Sequence, residues 1–151
     1  MAKYTITHSC GHEEVTNIVG PEKDRPRKAA WMESQPCYEC KREQATMAAQ
    51  EWAMKRGLVE LSGSEKQVAW AETIRQGLLI KVEQFVGEVL DDERTSDEEK
   101  ALTQRAYRLI AKQSQAAWWI EQRGTATSRL VLAMEAKCKA NDAKKATTNG
   151  K

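Results

Sequence analysis

The sequence predicts a mainly α-helical protein with a small metal-binding knuckle near its N-terminal end. Three observations carry that expectation. Three of the four cysteines fall in the first 40 residues beside a histidine, as two close-set ligand pairs. Two β-branched runs flank the first pair. Beyond Ser64, apolar residues recur at spacings of three and four, the period of an amphipathic helix. The fold class that follows is a small N-terminal β-hairpin zinc knuckle of treble-clef or zinc-ribbon type, then an antiparallel helical hairpin and a C-terminal helix. With 151 residues, 30% of them charged and 40% hydrophobic, the chain suits one domain or two very small ones. It is too short for a two-domain dehydrogenase or a TIM barrel.

No apolar run approaches the roughly 18–20 residues that span a bilayer, and the opening Met-Ala-Lys-Tyr-Thr-Ile-Thr-His-Ser-Cys10 lacks the apolar stretch of a secretion signal. A cytoplasmic location is the expectation, and in that compartment clustered cysteines read as metal ligands rather than disulfides. The net charge of +2 arises from 24 basic and 22 acidic residues, so the molecule is no polycation. Residues 125–151 nevertheless carry six basic and two acidic groups.

Taken in order, Tyr4-Thr-Ile-Thr7 and Val15-Thr-Asn-Ile-Val19 read as two strands around a turn holding Cys10 and His12. Pro26 can open a short helix through Met32, and Pro36 stops it. A helix over 38–56 follows, with Ala45, Ala48, Ala49 and Trp52 on one stripe and Gly57 as its terminator. Ser64 with Gln67 forms a capping box, with Ser62 and Glu65 as the alternative register. The long helix it opens runs to about Asp92 and buries Trp70, Ala71, Ile74, Leu78, Val82, Phe85, Val86 and Val89. Ser96 with Glu99 is a second capping box. It opens a third helix carrying Leu102, Ala106, Leu109, Ile110, Gln113, Ala117 and Ile120 as far as Gly124. The short break between these two helices predicts an antiparallel hairpin, each arm roughly 40 Å long at about 1.5 Å per residue. A last helix from about Thr127 carries Leu130, Leu132, Ala133, Met134 and Cys138. The domain reading is 1–57 for the zinc lobe with its helix, 58–142 for the helical bundle, and 143–151 for a tail too polar to order itself.

Cys10-Gly-His12 and Cys37-Tyr-Glu-Cys40 provide four zinc ligands in two chelating pairs. With all four corners filled by protein, the expectation is one structural Zn²⁺ and no enzyme activity. His12-Glu-Glu14 and Pro36-Cys-Tyr-Glu-Cys40 superficially match a deaminase signature. Cys10, however, occupies the corner where the reactive water would sit, and Val15-Thr-Asn-Ile-Val19 reads as strand rather than helix. A thioredoxin-like redox pair lacks its βαβ setting. His8 is the competing ligand, read as an exposed strand residue.

The runs Gly63-Ser-Glu-Lys-Gln67, Trp70-Ala-Glu72 and Ile74-Arg75, with Trp118-Trp-Ile-Glu-Gln-Arg123 and Cys10-Gly-His-Glu13, resemble a family of small proteins carried by phages and mobile elements of bacteria. The resemblance covers about residues 4–124. It implies a zinc knuckle joined to a helical hairpin and a mobile-element setting, with no established activity. Two partner classes fit the sequence. Lys23, Arg25, Arg27, Lys28, Lys41 and Arg42 near the metal suggest a module that binds nucleic acid or a nucleoprotein complex. The acidic turn with Asp91, Asp92, Glu93, Asp97 and Glu98 suggests instead an inhibitor of a host defence system that meets a nucleic-acid-binding protein. Trp118 and Trp119 lie about 100° apart on a helix, so one of them is a candidate anchor for a partner. Neither a membrane nor a small-molecule substrate is expected.

Overall fold

The computed structural model describes residues 3–148, with side chains through residue 145. The chain divides into two compact units, Met1–Met47 and Ala48–Lys151, with the boundary inside a helix.

In the first unit, β1 (Lys3–Thr7) and β2 (Glu13–Asn17) pair antiparallel, with Thr7 opposite Glu13 and Lys3 opposite Asn17. The second strand starts two residues earlier than its β-branched run suggests. The His8 amide donates to the His12 carbonyl and closes the turn, which sets Glu13 beside Thr7. Within the turn Gly11 adopts φ +84°, a conformation that favours glycine, and its amide bonds back to the His8 carbonyl. A single 3₁₀ turn, Glu22–Asp24, leads into α1 (Arg25–Glu33), with Pro26 in its first turn as the sequence predicts. This helix packs on β1. Ile6 and Ile18 are buried, and they are the apolar centre of a unit too small to hold much more.

The helix α2 (Tyr38–Lys55) spans the boundary and ends before Gly57, whose φ of +62° terminates it as expected. Its expected stripe is corrected in part. Ala49 and Ala53 are buried and Trp52 is half-buried, whereas Ala45 and Ala48 are exposed.

In the second unit, α3 (Glu65–Asp91) is the central element, packed on α4 (Asp97–Ala111), α5 (Ala116–Gln122) and α6 (Thr127–Thr148). Both capping boxes form in the registers Ser64–Gln67 and Ser96–Glu99. Ala71, Leu78, Leu79, Val82 and Val86 meet Ala106, Ile110, Trp119, Leu130, Val131 and Met134 in one core. Ile74, Phe85, Leu109 and Ile120 are half-buried at its edge. The expected stripe on α3 is shifted at one position: Trp70 remains 47% exposed, and Leu79 is fully buried.

The third helix of the sequence reading is two helices. The chain leaves the helical path after Ala111 because Ser62 takes over its hydrogen bonding. Ser62 N donates to Ser114 O at 2.7 Å, and Ala116 N donates to Ser62 O at 2.9 Å. Trp119 Nε1 then donates to the Gln113 carbonyl at 3.0 Å, so the indole lies inside the bend. The α3–α4 arrangement is antiparallel, since this bridge holds the end of α4 beside the start of α3. The α4 arm is nevertheless about 22 Å by its rise, roughly half the length expected.

On α6 the buried line is Leu130, Val131, Met134 and Cys138, while Leu132 and Ala133 face out. The helix continues through Thr148, so residues 143–148 of the segment expected to fray are helical. Asp142 is tied to Arg105 there by two hydrogen bonds of 2.9 and 2.8 Å. The same expectation for 149–151 falls outside the described residues. No described helix is long and apolar enough to cross a membrane.

Candidate metal centre

The β1–β2 turn and the first turn of α2 bring Cys10, His12, Cys37 and Cys40 together, with all ligand atoms within 4.8 Å of one another. The His12 Nδ1 atom lies 3.6 Å from Cys10 Sγ, 3.5 Å from Cys37 Sγ and 3.3 Å from Cys40 Sγ. For a tetrahedral ion with bonds of about 2.3 Å to sulfur and about 2.0–2.1 Å to nitrogen, the sulfur–nitrogen edge is about 3.5 Å. The observed edges fit that figure, and the four side chains are positioned to hold a metal ion. No disulfide joins any of these cysteines.

Backbone donors complete the site. Cys37 N donates to Cys10 Sγ at 3.3 Å and Cys40 N to Cys37 Sγ at 3.5 Å, the pattern that stabilises thiolates at a helix start. The Cys37 and His12 backbone bonds pull the Cys10 thiol down to about 6. Crowding acts the other way on Cys40. Its hydrogen bond with Cys37, burial and the nearby Cys10 push it up to about 12. Three sulfurs this close do not all hold negative charge without a cation between them, which is what a bound dication supplies.

His8 is no ligand, and its reading as an exposed strand residue is overturned. It is 8% exposed. Its Nδ1–H donates to the Met32 and Gln35 carbonyls at 3.1 and 3.2 Å, and Nε2 faces the Glu14 carboxylate at 3.3 Å. Burial opposes a charge on this ring. The bonds to Glu14, Gln35 and Met32 outweigh it and raise the pKa above its ordinary value. His8 thus pins the hairpin to the end of α1, and Ser9 N adds a bond to Gln35 O. The signal was in the sequence: His8 stands two residues after Ile6, on the same buried face.

The six basic residues named from the sequence all lie in the first unit, in two different states. Arg25 and Lys28 are engaged with the hairpin's exit, where Arg25 Nε donates to Gly20 O at 3.1 Å and Lys28 Nζ to Val19 O at 2.8 Å. Lys23, Arg27, Lys41 and Arg42 are exposed. Two rings that the sequence reading did not single out accompany them. Trp31 is 64% exposed and Tyr38 is 74% exposed, with the Arg42 guanidinium 5.9 Å from the Tyr38 ring centre. Trp31 also borders a groove of about 280 Å³ with Lys28 and Val19.

In the second unit, the acidic turn is partly a structural device. The Asp92 carboxylate accepts from Arg94 N, Nε and Nη2 at 2.9–3.0 Å, and these bonds hold its pKa below the ordinary value. Asp97 and Glu98 sit in the first turn of α4, where the helix dipole favours them. Asp91 and Glu93 are exposed. Trp119 is withdrawn as a partner anchor because it is completely buried. Trp118 meets it edge to face at 4.9 Å and is half-buried against the core. In this unit the Arg123 guanidinium lies 5.1 Å from the Trp70 ring centre and that of Arg56 lies 4.4 Å from the Trp52 ring centre, whereas Arg75 is buried and paired with Glu72.

Comparison of the chain with protein-family models, with curated proteins and with solved structures gives no match. The site is therefore read from its own geometry.

Proposed function

We propose that this protein is a non-enzymatic binding module whose first unit is built around one structural Zn²⁺ and whose target is nucleic acid or a nucleoprotein complex. Three sulfurs and one imidazole form the donor set that zinc favours, and four protein ligands leave no corner for a substrate or a reactive water. The observation that carries the target is that exposed rings and exposed cations occur in one small unit, with the Arg42 guanidinium 5.9 Å from the Tyr38 ring centre. Trp31 and Tyr38 stand open in the same small unit as Arg27, Lys41 and Arg42. Acidic residues interleave with the basic ones, so bulk charge is not the argument. Open rings beside guanidinium and ammonium groups are the chemistry that holds unpaired bases and phosphates. The motif resemblance supports a phage or mobile-element setting.

Metal analysis of the purified chain should return one zinc per molecule. Fluorescence anisotropy with single- and double-stranded oligonucleotides then tests the target. The triple reversal Arg27→Glu, Lys41→Glu and Arg42→Glu should weaken binding and flatten its salt dependence. The anti-defence reading places the contact on Asp91, Asp92, Glu93, Asp97 and Glu98; Asp92 is held by Arg94, and the other four are exposed. Their reversal should leave oligonucleotide binding intact under the first reading and abolish association with a basic partner protein under the second.

A further inference from the structure

A groove of about 480 Å³ opens between α4 and α6, within the second unit and among residues that no part of the zinc argument uses. Its walls bring four cations together, Arg105 and Arg108 from α4 and Lys144 and Lys145 from α6. Asp142 is the carboxylate among its lining residues; both of its oxygens accept from Arg105, and Lys145 also attracts it electrostatically. Arg108 has no ion pair among the described residues. Cys138, 3% exposed, lines the same groove.

Each cation alone has a local explanation. Arg108 and Lys145 stand in the last turns of their helices, where the dipole favours positive charge. That explanation does not account for four basic residues from two helices lining one concavity that holds a single carboxylate. Like charges held together in a groove of ligand size are stabilised by an anion between them. Arg105 is already oriented by Asp142, so part of the ordering cost is met before a ligand arrives.

We propose that the α4–α6 groove is a binding site for a phosphate-bearing anion, with Arg108 and Lys145 as its principal contacts and Arg105 as the pre-oriented third. The shared chemistry is the phosphate, whether from a free diphosphate compound or from a nucleic-acid backbone. This site does not depend on the reading of the metal centre.

The test uses the full chain as purified with two probes, inorganic pyrophosphate and a short single-stranded oligonucleotide, by isothermal titration calorimetry. Saturable binding of at least one probe, weakening steeply with salt, is expected. The variant Arg108→Glu/Lys145→Glu should bind at least tenfold more weakly. Pyrophosphate saturating alone assigns a free phosphate compound, and tighter binding of the oligonucleotide, displaced by pyrophosphate, assigns a backbone. Alkylation followed at Cys138 itself, by mass spectrometry of its peptide, reports on the groove and should slow severalfold when the probe is bound. Both substituted positions are exposed, and retained helical circular dichroism verifies the fold. Should the double reversal unfold the chain, Arg108→Gln/Lys145→Gln replaces it, with a severalfold loss expected. Absence of saturable binding by either probe overturns the proposal. So does binding that the folded variant retains at full strength, or that leaves the Cys138 rate unchanged.

Discussion

Glu72 and Arg75 form an i,i+3 ion pair on α3 with almost no exposure on either partner. Arg75 Nη2 donates to Glu72 Oε2 and Nη1 to the Val59 carbonyl, both at 2.6 Å. Its Nε is buried without a partner. The pair therefore ties the 58–63 segment to the helix at the cost of desolvating two charges, and burial raises the Glu72 carboxyl above its ordinary pKa despite Arg75. Glu72→Ala leaves the guanidinium buried and uncompensated, and urea denaturation should show a loss of about 3–5 kcal/mol. The double variant Glu72→Leu/Arg75→Met should cost less than the two single changes combined. At the metal centre, Cys37→Ser removes one of four ligands. Zinc content per chain should fall well below that of the parent protein, and an unchanged content would refute the ligand assignment. The cysteine pairs were legible at this scale because ligand spacing is local. The burial of Arg75 was not, since its partner Val59 O belongs to another segment.

Among the elements, the break between α4 and α5 depends on one close approach. Gly63 has φ +156°, and a Cβ built there would lie 3.0 Å from Ala116 Cβ. Gly63→Ala should lower the unfolding temperature by forcing the Ser62–Gln115 bridge apart, whereas Gly77→Ala, with open space around it, should not. Trp119→Ala, at the bend, should cost about 3–5 kcal/mol in the same denaturation experiment. The capping box of α4 makes a pH prediction. Ser96 hydrogen bonds hold the Glu99 carboxyl below its ordinary value of 4.5. A depressed carboxyl stabilises the fold above its unfolded pKa, and that contribution disappears as pH falls from 4.5 through the depressed value. Thermal unfolding between pH 6 and 3 should show this loss, reduced in Glu99→Gln, which keeps the box geometry without the titrating group. Both boxes were readable because their partners are three residues apart. The bend was not, because a helix-compatible stretch such as Ala111–Gln115 leaves its path only when Ser62 offers a better hydrogen-bonding partner.

For the molecule as a whole, the two units differ in what stabilises them. The second has a continuous apolar core along α3, including Leu78, Leu79, Val82, Ile110 and Trp119. Leu78→Ala should therefore cost about 2–5 kcal/mol. The first has Ile6 and Ile18 at its centre and four side chains positioned to hold a metal ion, so under the proposed zinc reading its folding free energy would come largely from the ion. Stripping zinc with a strong chelator should unfold the hairpin and α1 while most helical circular dichroism persists. Loss of all helical signal together would contradict this division.

The sequence by itself determined what short-range chemistry decides: the ligand pairs, the strands beside them, the capped helix starts and the period of α3. Those features depend on residues at most a few positions apart, where spacing translates directly into geometry. Only the tertiary structure decided which rings are covered and which cations converge. Trp119 is buried and Trp70 exposed, although both stand in apolar helical patterns. Arg105 and Arg108 line one groove with Lys144 and Lys145, which stand more than thirty residues further along the chain. Burial and charge convergence are set by which faces pack against each other, and helical periodicity alone does not choose between neighbouring faces about 100° apart.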